Sequence, residues 1–492
     1  MTPYILSIDA GTTGITLMLL LENGLVLKKY YREFTQYYPQ PGWVEHDGDE
    51  IWDVTRNLIQ IAFKENSPES CIAIGITNQR ETTLLWDKRT GKAIHNAIVW
   101  QCNRTYDICQ ELKVGGYDDL IKQKTGLVID TYFSGTKIKW LLDHIEGAHK
   151  EAQIGNLAFG TIDSWLLWKL TDGLVHATDF TNASRTMIFN IDEKQWDNEL
   201  IDLLDIPVNL LPEVRPSSGM FGSTDKQLFG ISINITGIAG DQQAALYGQS
   251  CYETGRTKCT YGTGCFLLAN TGLKRINSSS GLLTTIACNI EGLPVYALEG
   301  SIFIGGAIIQ WLRDELQIIS QASETEEIAL NVEDSNGVII VPAFTGLGAP
   351  YWDMDAKGII CGLTRGSNRN HIVRAALESI AFQVNDLVIS ILSDVDWKIS
   401  SLRVDGGATI NNFLMQFQSD ILQMKIERPS NIESTALGVG MLAGIGAGFW
   451  SNPADLTSVT KPDQIFTPLM DYKKRNVLLQ NWQKAIKRAC YA

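Results

Sequence analysis

Residues 4–31 read YILSIDAGTTGITLMLLLENGLVLKKYY, and their pattern decides the fold. Tyr4 to Ile8 is a short apolar run of the kind a buried strand makes, and it ends at Asp9-Ala-Gly-Thr-Thr-Gly14. Ile15 to Leu21 is a second apolar run. Asn23-Gly24, a strong two-residue hairpin signal, then leads into Leu25 to Tyr31, so three antiparallel strands are expected in sequence. Asp47-Gly-Asp-Glu50 reads as a capping box opening a helix with Ile51, Val54, Leu58, Ala62 and Phe63 on one face. Cys71 to Ile76 is the next strand, ending at Thr77-Asn78-Gln79-Arg80-Glu81. The pattern is β-β-β-α-β.

A related pattern occurs in the second half. Thr257 to Tyr261 reads as a strand closed by Gly262-Thr-Gly264, and Phe266 to Ala269 as another; Val338 to Val341 is a continuous apolar strand. From Ile372 onward, Ala376, Ile380, Val384, Leu387 and Ile391 have helical spacing. Leu402 to Val404 is a strand ending at Asp405-Gly-Gly-Ala408, followed by a helix with Phe413, Phe417 and Ile421 on one face. Strand, Gly/Thr turn, strand thus occurs near residue 9 and again near residue 261. Two related α/β domains, 1–248 and 249–492, are the simplest account, and no low-complexity linker marks their boundary.

Composition bounds the function. The chain has 492 residues, 45% of them hydrophobic and 20% charged, which suits a globular protein with sizeable cores. With 41 Lys and Arg against 55 Asp and Glu, the net charge is −14. Nucleic-acid and anionic-membrane partners are therefore not expected, because both need a basic footprint. The 9 cysteines are scattered without a CxxC, which reads as a reduced, cytoplasmic chain. No basic segment precedes the first apolar stretch, which Asp9 interrupts, so no signal peptide is expected. The longest uncharged apolar run, Ala436 to Trp450, falls short of the ~20 residues that span a bilayer.

Three glycine-rich turns each follow an expected strand. Glycine lets backbone N–H groups approach an anion closely. In the first turn Thr12 and Thr13 add hydroxyl donors, and Asp9 at the strand end could hold Mg²⁺ directly or through water. In Tyr261-Gly-Thr-Gly264, Thr263 supplies another hydroxyl; in Asp405-Gly-Gly-Ala408, adjacent glycines leave room for a flat ring. Each alone would be an ordinary tight turn. Together and in this order they suggest a nucleotide, although neither a P-loop GxxxxGK[S/T] nor a GxGxxG after a strand is present.

The order Asp-x-Gly-Thr-Thr, Gly-Thr-Gly, Asp-Gly-Gly-Ala resembles the actin/hexokinase/Hsp70 nucleotide-binding superfamily. Within it the chain resembles the FGGY carbohydrate kinases, and among these the glycerol kinases. The resemblance covers nearly the whole chain. It is most specific at Asn78-Gln-Arg-Glu-Thr-Thr83, Trp100-Gln-Cys-Asn-Arg-Thr105, Tyr132-Phe-Ser-Gly-Thr-Lys137, Thr178-Asp-x-Thr-Asn-Ala-Ser-Arg-Thr186, Gly240-Asp-Gln-Gln243, Gly300-Ser-Ile-Phe-Ile-Gly-Gly306 and Gln310-Trp-Leu-Arg313. It implies two RNase H-like domains flanking an interdomain cleft, ATP and Mg²⁺ as cofactors, a small polyol as acceptor, and a homo-oligomer, either dimer or tetramer.

The resemblance also distributes roles. Arg80 donates to, and Glu81 accepts from, the hydroxyls of a neutral polyol, which needs both. Tyr132 closes over the polyol, Trp100 and Phe266 wall its carbon chain, and Gln242 fixes a second hydroxyl. Asp241 is the general base: an attacking hydroxyl must lose its proton, and a carboxylate within reach can take it. Thr12, Thr13, Gly14 and Thr263 cradle phosphates, Gly306 and Gln310 lie near the nucleotide, and Gly407 with Asn411 form the adenosine site. Mg²⁺ bridges phosphates near Asp9.

The first turn departs from the usual Asp-Gln-Gly-Thr-Thr-Ser-Ser-Arg. Gly14-Ile15 replaces the Ser pair, and Thr16 stands where the arginine would be. Either Mg²⁺ and backbone donors suffice for the phosphates or another basic residue compensates. The segment from Pro216 to Gly240 has no Arg and no His, so neither fructose-bisphosphate inhibition nor phosphohistidine activation is expected there. Three alternatives stay open: an FGGY kinase of another polyol or sugar, a non-kinase ATP-binding protein of the actin or Hsp70 kind, and a degenerate kinase that binds polyol but transfers slowly.

Overall fold

The computed structural model describes residues 2–451, 456 and 460–490. Its chain divides into two compact units, one made of Met1–Tyr252, Thr284–Tyr296 and Ser434–Val459 and the other of Glu253–Leu283, Ala297–Glu433 and Thr460–Ala492.

The first unit is built on a sheet of β1 (Tyr4–Ala10), β2 (Gly14–Leu21), β3 (Val26–Glu33), β4 (Cys71–Asn78), β5 (Ser218–Ser223) and β6 (Asn234–Gly240). The order across it is β5-β6-β4-β1-β2-β3. The three opening strands run antiparallel, as expected from the sequence, and β4 and β6 add in parallel beyond β1. At the first hairpin Gly24 takes φ 77°, the left-handed conformation that the Asn-Gly signal supplies. β1 and β2 read as nearly unbroken apolar runs because both of their faces are covered. Leu6, Ile8, Leu17 and Leu19 point to one core with Ile51 and Leu58 of the helix Gly48–Glu65. Ile5, Met18, Leu20 and Ala73 point to another with Val439 and Leu442.

Asp47 caps the helix Gly48–Glu65, its carboxylate accepting from Asp49 N and Glu50 N. The reciprocal half of the capping box is missing. Glu50 instead accepts from the backbone N and hydroxyl of Thr35, which ties the chain leaving β3 to the helix start.

The apolar stretch 436–450 is explained by the helix Ser434–Gly446, which lies directly on the sheet backbone. A Cβ on Gly75 of β4 would come 2.5 Å from Val439 O, and one on Gly237 of β6 would come 2.6 Å from Ala443 N. The same helix crosses the helix Asp241–Gly248 as closely, with a Cβ at Gly438 falling 1.8 Å from Ala244 O. Gly438→Ala must therefore push two helices apart, at an expected cost of about 3 kcal/mol in folding stability. Urea unfolding of the variant checks this, and an unchanged midpoint would disprove the close approach.

The second sheet contains β7 (Thr257–Tyr261), β8 (Cys265–Gly272), β9 (Leu283–Cys288), β10 (Pro294–Ile302), β11 (Ser401–Asp405), β12 (Lys425–Pro429) and β13 (Pro462–Phe466), in the order β9-β10-β8-β7-β11-β12-β13. Its inner five strands repeat the β3-β2-β1-β4-β6 arrangement of the first sheet, with an antiparallel hairpin and parallel strands added on its far side. The internal duplication is thus a duplicated RNase H-like, actin-like fold. The helix Arg369–Asp394 is long and apolar enough to cross a membrane by length and composition, yet 89% of its apolar window is buried inside the protein. Leu402 and Val404 of β11 share its core. The helix Tyr472–Cys490 buries Trp482, Ala485, Ile486 and Ala489, while its Lys and Arg residues near 473–475 and 487–488 lie outside that buried set.

Candidate active site

β4 ends at Asn78, and the chain then turns sharply. Glu81 sits at φ 60°, a left-handed conformation that costs a non-glycine residue roughly 1 kcal/mol or more and persists only where its surroundings hold it. Here the Glu81 carboxylate is gripped by the buried Arg185, whose Nε donates to Oε1 at 2.7 Å. Arg185 lies 5.5 Å from the Tyr132 ring centroid and 5.3 Å from that of Phe133.

Arg80 is the centre of this group. Its Nε faces Asp241 Oδ1 at 3.1 Å, one terminal nitrogen donates to Gln243 Oε1 at 3.1 Å, and the other reaches the Tyr132 hydroxyl at 3.4 Å. Arg80 and Glu81 side chains are each 1% exposed, whereas that of Asp241 is 27% exposed. Asp241 is the first residue of the helix Asp241–Gly248, so its charge faces the positive end of the helix, and Oδ1 accepts from Gln242 N at 2.7 Å. The arrangement sets donors beside acceptors, with the Asp241 carboxylate the most exposed of the three charged groups. Trp100 meets Tyr132 edge-on with centroids 5.7 Å apart. Lys137 is fully buried and donates to the carbonyl of Tyr132; burial pushes its ammonium down to about 8.

Arg80, Glu81, Trp100, Tyr132, Asp241 and Gln242 all belong to the first unit. Phe266 lies on β8 in the second unit. Gln243 and Arg185 were not singled out from the sequence, though both lie in quoted motifs. Nothing in one sequence separates Gln243 from its neighbour Gln242; the signal for Arg185 was an arginine within a run of small polar residues.

The first glycine turn is anchored from several sides. Gly11 N donates to Gly14 O, and the Trp100 indole N–H donates to the Thr12 hydroxyl at 3.0 Å. Thr12 can still donate its own proton to an anion. The carbonyl of Thr12 accepts from Gln36 Nε2 and that of Gly11 from Gln79 Nε2. Both glutamines converge on His46, with Gln36 Oε1 at 2.6 Å from Nε2 and Gln79 Nε2 at 3.2 Å from Nδ1. Thr13 is exposed at the tip and Asp9 half-buried at the strand end. Thr16 lies directly across from Asp9 on one side and Tyr31 on the other. Gly14 is obligatory for a reason the sequence did not show: a Cβ there would meet the Tyr31 ring at 2.8 Å.

His46 is buried, and burial lowers its imidazole to about 3. Below pH ~6.5 the unfolded chain takes up a proton that the folded one refuses, so this stabilisation is present above that pH and is lost as pH falls. His46→Gln, which keeps a donor and an acceptor, should remove ~2 kcal/mol of the stability lost between pH 6.5 and 5. Urea unfolding of both proteins at the two pH values checks it; parallel losses would refute the assignment.

In the second unit a cavity of about 450 Å³ is lined by Thr263, Gly306, Gln310, Gly407 and Asn411, together with Ser323, which the sequence did not suggest. The turn following β7 and the start of the helix Ala307–Asp314 interlock, with Gly306 N donating to Gly262 O at 2.8 Å and Ala307 N to Thr263 O at 3.0 Å. Gly406, at φ 89°, could not carry a side chain, since a Cβ would lie 2.6 Å from Tyr261 O. A Cβ on Gly407 would meet nothing within 4 Å, so this glycine leaves a flat backbone surface on the cavity. Asn411 caps the helix Asn412–Leu422 and donates to Thr325, which also lines the cavity.

Two duplicated actin-like units, one with a buried donor–acceptor cluster and one with a glycine-walled cavity, define a nucleotide-dependent kinase of small polyhydroxylated molecules. Residues 4–248 match the N-terminal domain and residues 257–447 the C-terminal domain of the FGGY family of carbohydrate kinases, and the chain belongs to that family. It is 56% identical to the glycerol kinase of Caldanaerobacter subterraneus subsp. tengcongensis over 99% of both chains. It is likewise 56% identical to glycerol kinase 2 of Thermotoga maritima, over 99% of this chain and 98% of that one. The crystal structure of Plasmodium falciparum glycerol kinase with ADP superposes with a TM-score of 0.92 at 39% identity, covering 99% of this chain and 98% of that one. Ligand-bound xylulose kinase from Lactobacillus acidophilus shares the fold, with a TM-score of 0.89 at 23% identity.

Proposed function

We propose that this chain is a glycerol kinase that transfers the γ-phosphoryl group of ATP to a terminal hydroxyl of glycerol, giving sn-glycerol 3-phosphate and ADP. The observation that carries the reading is the buried Arg80–Glu81–Asp241 cluster, in which only Asp241 is appreciably open. Arg80 donates to a glycerol oxygen, Glu81 accepts from a hydroxyl, and Tyr132, Trp100 and Gln242 bound the remaining volume. Asp241 takes the proton of the attacking hydroxyl as its oxygen bonds to the γ-phosphorus and the bond from that phosphorus to the β,γ-bridging oxygen breaks. Arg80 pairs with Asp241 and so keeps its carboxylate aimed. Phe266 is retained as a residue of the acceptor pocket on family resemblance alone.

The nucleotide is assigned to the second-unit cavity, with Gly407 and Asn411 at the adenosine and Thr263, Gly306 and Gln310 along the phosphates. Thr12, Thr13 and Gly14 supply hydroxyl and backbone donors from the first unit. Among the described residues no three His, Cys, Asp or Glu side chains converge as a metal site. The half-buried carboxylate of Asp9 suits Mg²⁺, which keeps its waters and binds through phosphates and one or two carboxylates. Mg²⁺ held by Asp9 would neutralise the charge of the transferring group. Residues 1–248 thus supply the acceptor machinery and residues 249–492 the nucleotide cavity. All 9 cysteines are free, 7 of them buried, which supports a cytoplasmic enzyme; a dimer or tetramer is part of the same reading.

Initial rates of ADP formation with glycerol, dihydroxyacetone and D-xylulose, with and without Mg²⁺, test it. Glycerol should give the highest kcat/KM, and only with the metal. Faster turnover of xylulose would transfer the chain to another FGGY activity, and glycerol-independent ADP release would favour a non-kinase ATPase.

A further inference from the structure

Asp179 is a fully buried carboxylate that receives five hydrogen bonds. Oδ2 accepts from Thr181 Oγ1 at 2.7 Å, Thr181 N at 3.0 Å and Ser217 Oγ at 2.7 Å; Oδ1 accepts from Asn182 N at 3.0 Å and Asn182 Nδ2 at 2.9 Å. Thr181, with its single proton committed to Asp179, presents its oxygen lone pairs outward, and Thr181 Oγ1 accepts from the backbone N–H of Gly240 at 2.8 Å. Gly240 is the last residue of β6 and the N-cap of the helix that begins with Asp241. A Cβ on Gly240 would lie 2.7 Å from the Arg80 side chain, so the strand-to-helix turn is also tight against Arg80. The same segment reaches the other half of the cluster, because Asn182 Oδ1 accepts from Asn78 Nδ2 at 3.1 Å and Arg185 holds Glu81.

We propose that Thr181, oriented by Asp179, is a positioning residue for Asp241: its hydroxyl fixes the Gly240 N–H and thereby the turn from which the Asp241 carboxylate projects. Thr181 touches neither acceptor nor nucleotide in the proposed reaction. Its effect is on the direction of one carboxylate, so it belongs to the proton-transfer step rather than to binding. An uncompensated Gly240 N–H would seek another partner and rotate the turn, and proton transfer tolerates little displacement. The proposal rests on Asp241 being the general base.

Thr181→Val keeps the shape and removes the oxygen. Steady-state kinetics should show kcat lowered about 10- to 100-fold with KM for ATP essentially unchanged, and Thr181→Ser should restore most of the loss. Thermal midpoints measured alongside separate misfolding from mispositioning. If Thr181→Val does not fold, Thr181→Ala, which removes the same oxygen without a branched methyl, is measured against Thr181→Ser in the same way. Wild-type kcat in a folded Val or Ala variant overturns the proposal, as does a Ser variant no better than Val or Ala. Asp241→Asn is assayed in the same series. Full turnover there would remove the general-base reading itself, whereas an inactive Asn variant beside a fully active Thr181→Val would remove only the positioning role.

Discussion

Asp241→Asn is expected to lower kcat by about 10²- to 10⁴-fold while leaving KM for ATP within a factor of about two, the range general-base catalysis usually supplies. Asparagine retains the size and the Oδ1 acceptor that faces Arg80 Nε at 3.1 Å and Gln242 N at 2.7 Å, so the turn and its hydrogen bonds survive. What it lacks is a site for the proton released from the attacking hydroxyl. The proposed nucleotide cavity, whose lining includes Thr263, Gly306, Gln310, Gly407 and Asn411, contains none of the altered groups. Steady-state kinetics over both substrates decide the matter, and near-normal turnover would remove Asp241 as the base.

Arg80→Ala is expected to raise KM for glycerol by about 100-fold, since a buried charged hydrogen bond with its partners is worth several kcal/mol once broken. The Gln243 amide oxygen and the Tyr132 hydroxyl lose their common donor, and the Asp241 carboxylate loses its ion-pair partner. KM for ATP should change by less than about three-fold. Arg80→Lys should rescue little, because a single ammonium cannot serve three directions that a planar guanidinium serves at once. Titrations with equal losses for glycerol and ATP would refute the acceptor role.

Much of the architecture was legible in residues 4–31 and their echo near residue 261. Apolar runs of strand length, an Asn-Gly hairpin and glycine turns are local signals, and local physics reads them correctly. The half-built capping box shows where this fails: Glu50 had a better partner in Thr35, 15 residues away, which no window around Asp47 contains. The division of the chain is likewise non-local, because the segments 284–296 and 434–459 return to the first unit after the second has begun.

The sequence by itself determined the three antiparallel opening strands with the helix and strand that follow them, their partial echo in the second half, the three glycine turns and the residue types able to handle a polyol and a nucleotide, since these follow from periodicity, backbone freedom and motif order. Only the tertiary structure decided that Arg80 bridges Asp241, Gln243 and Tyr132, that Arg185 holds the left-handed Glu81, and that His46 ties down the first turn. Each of these joins side chains distant in sequence through burial. A buried polar group must find its partners wherever the fold brings them, and nothing in its immediate neighbours names them.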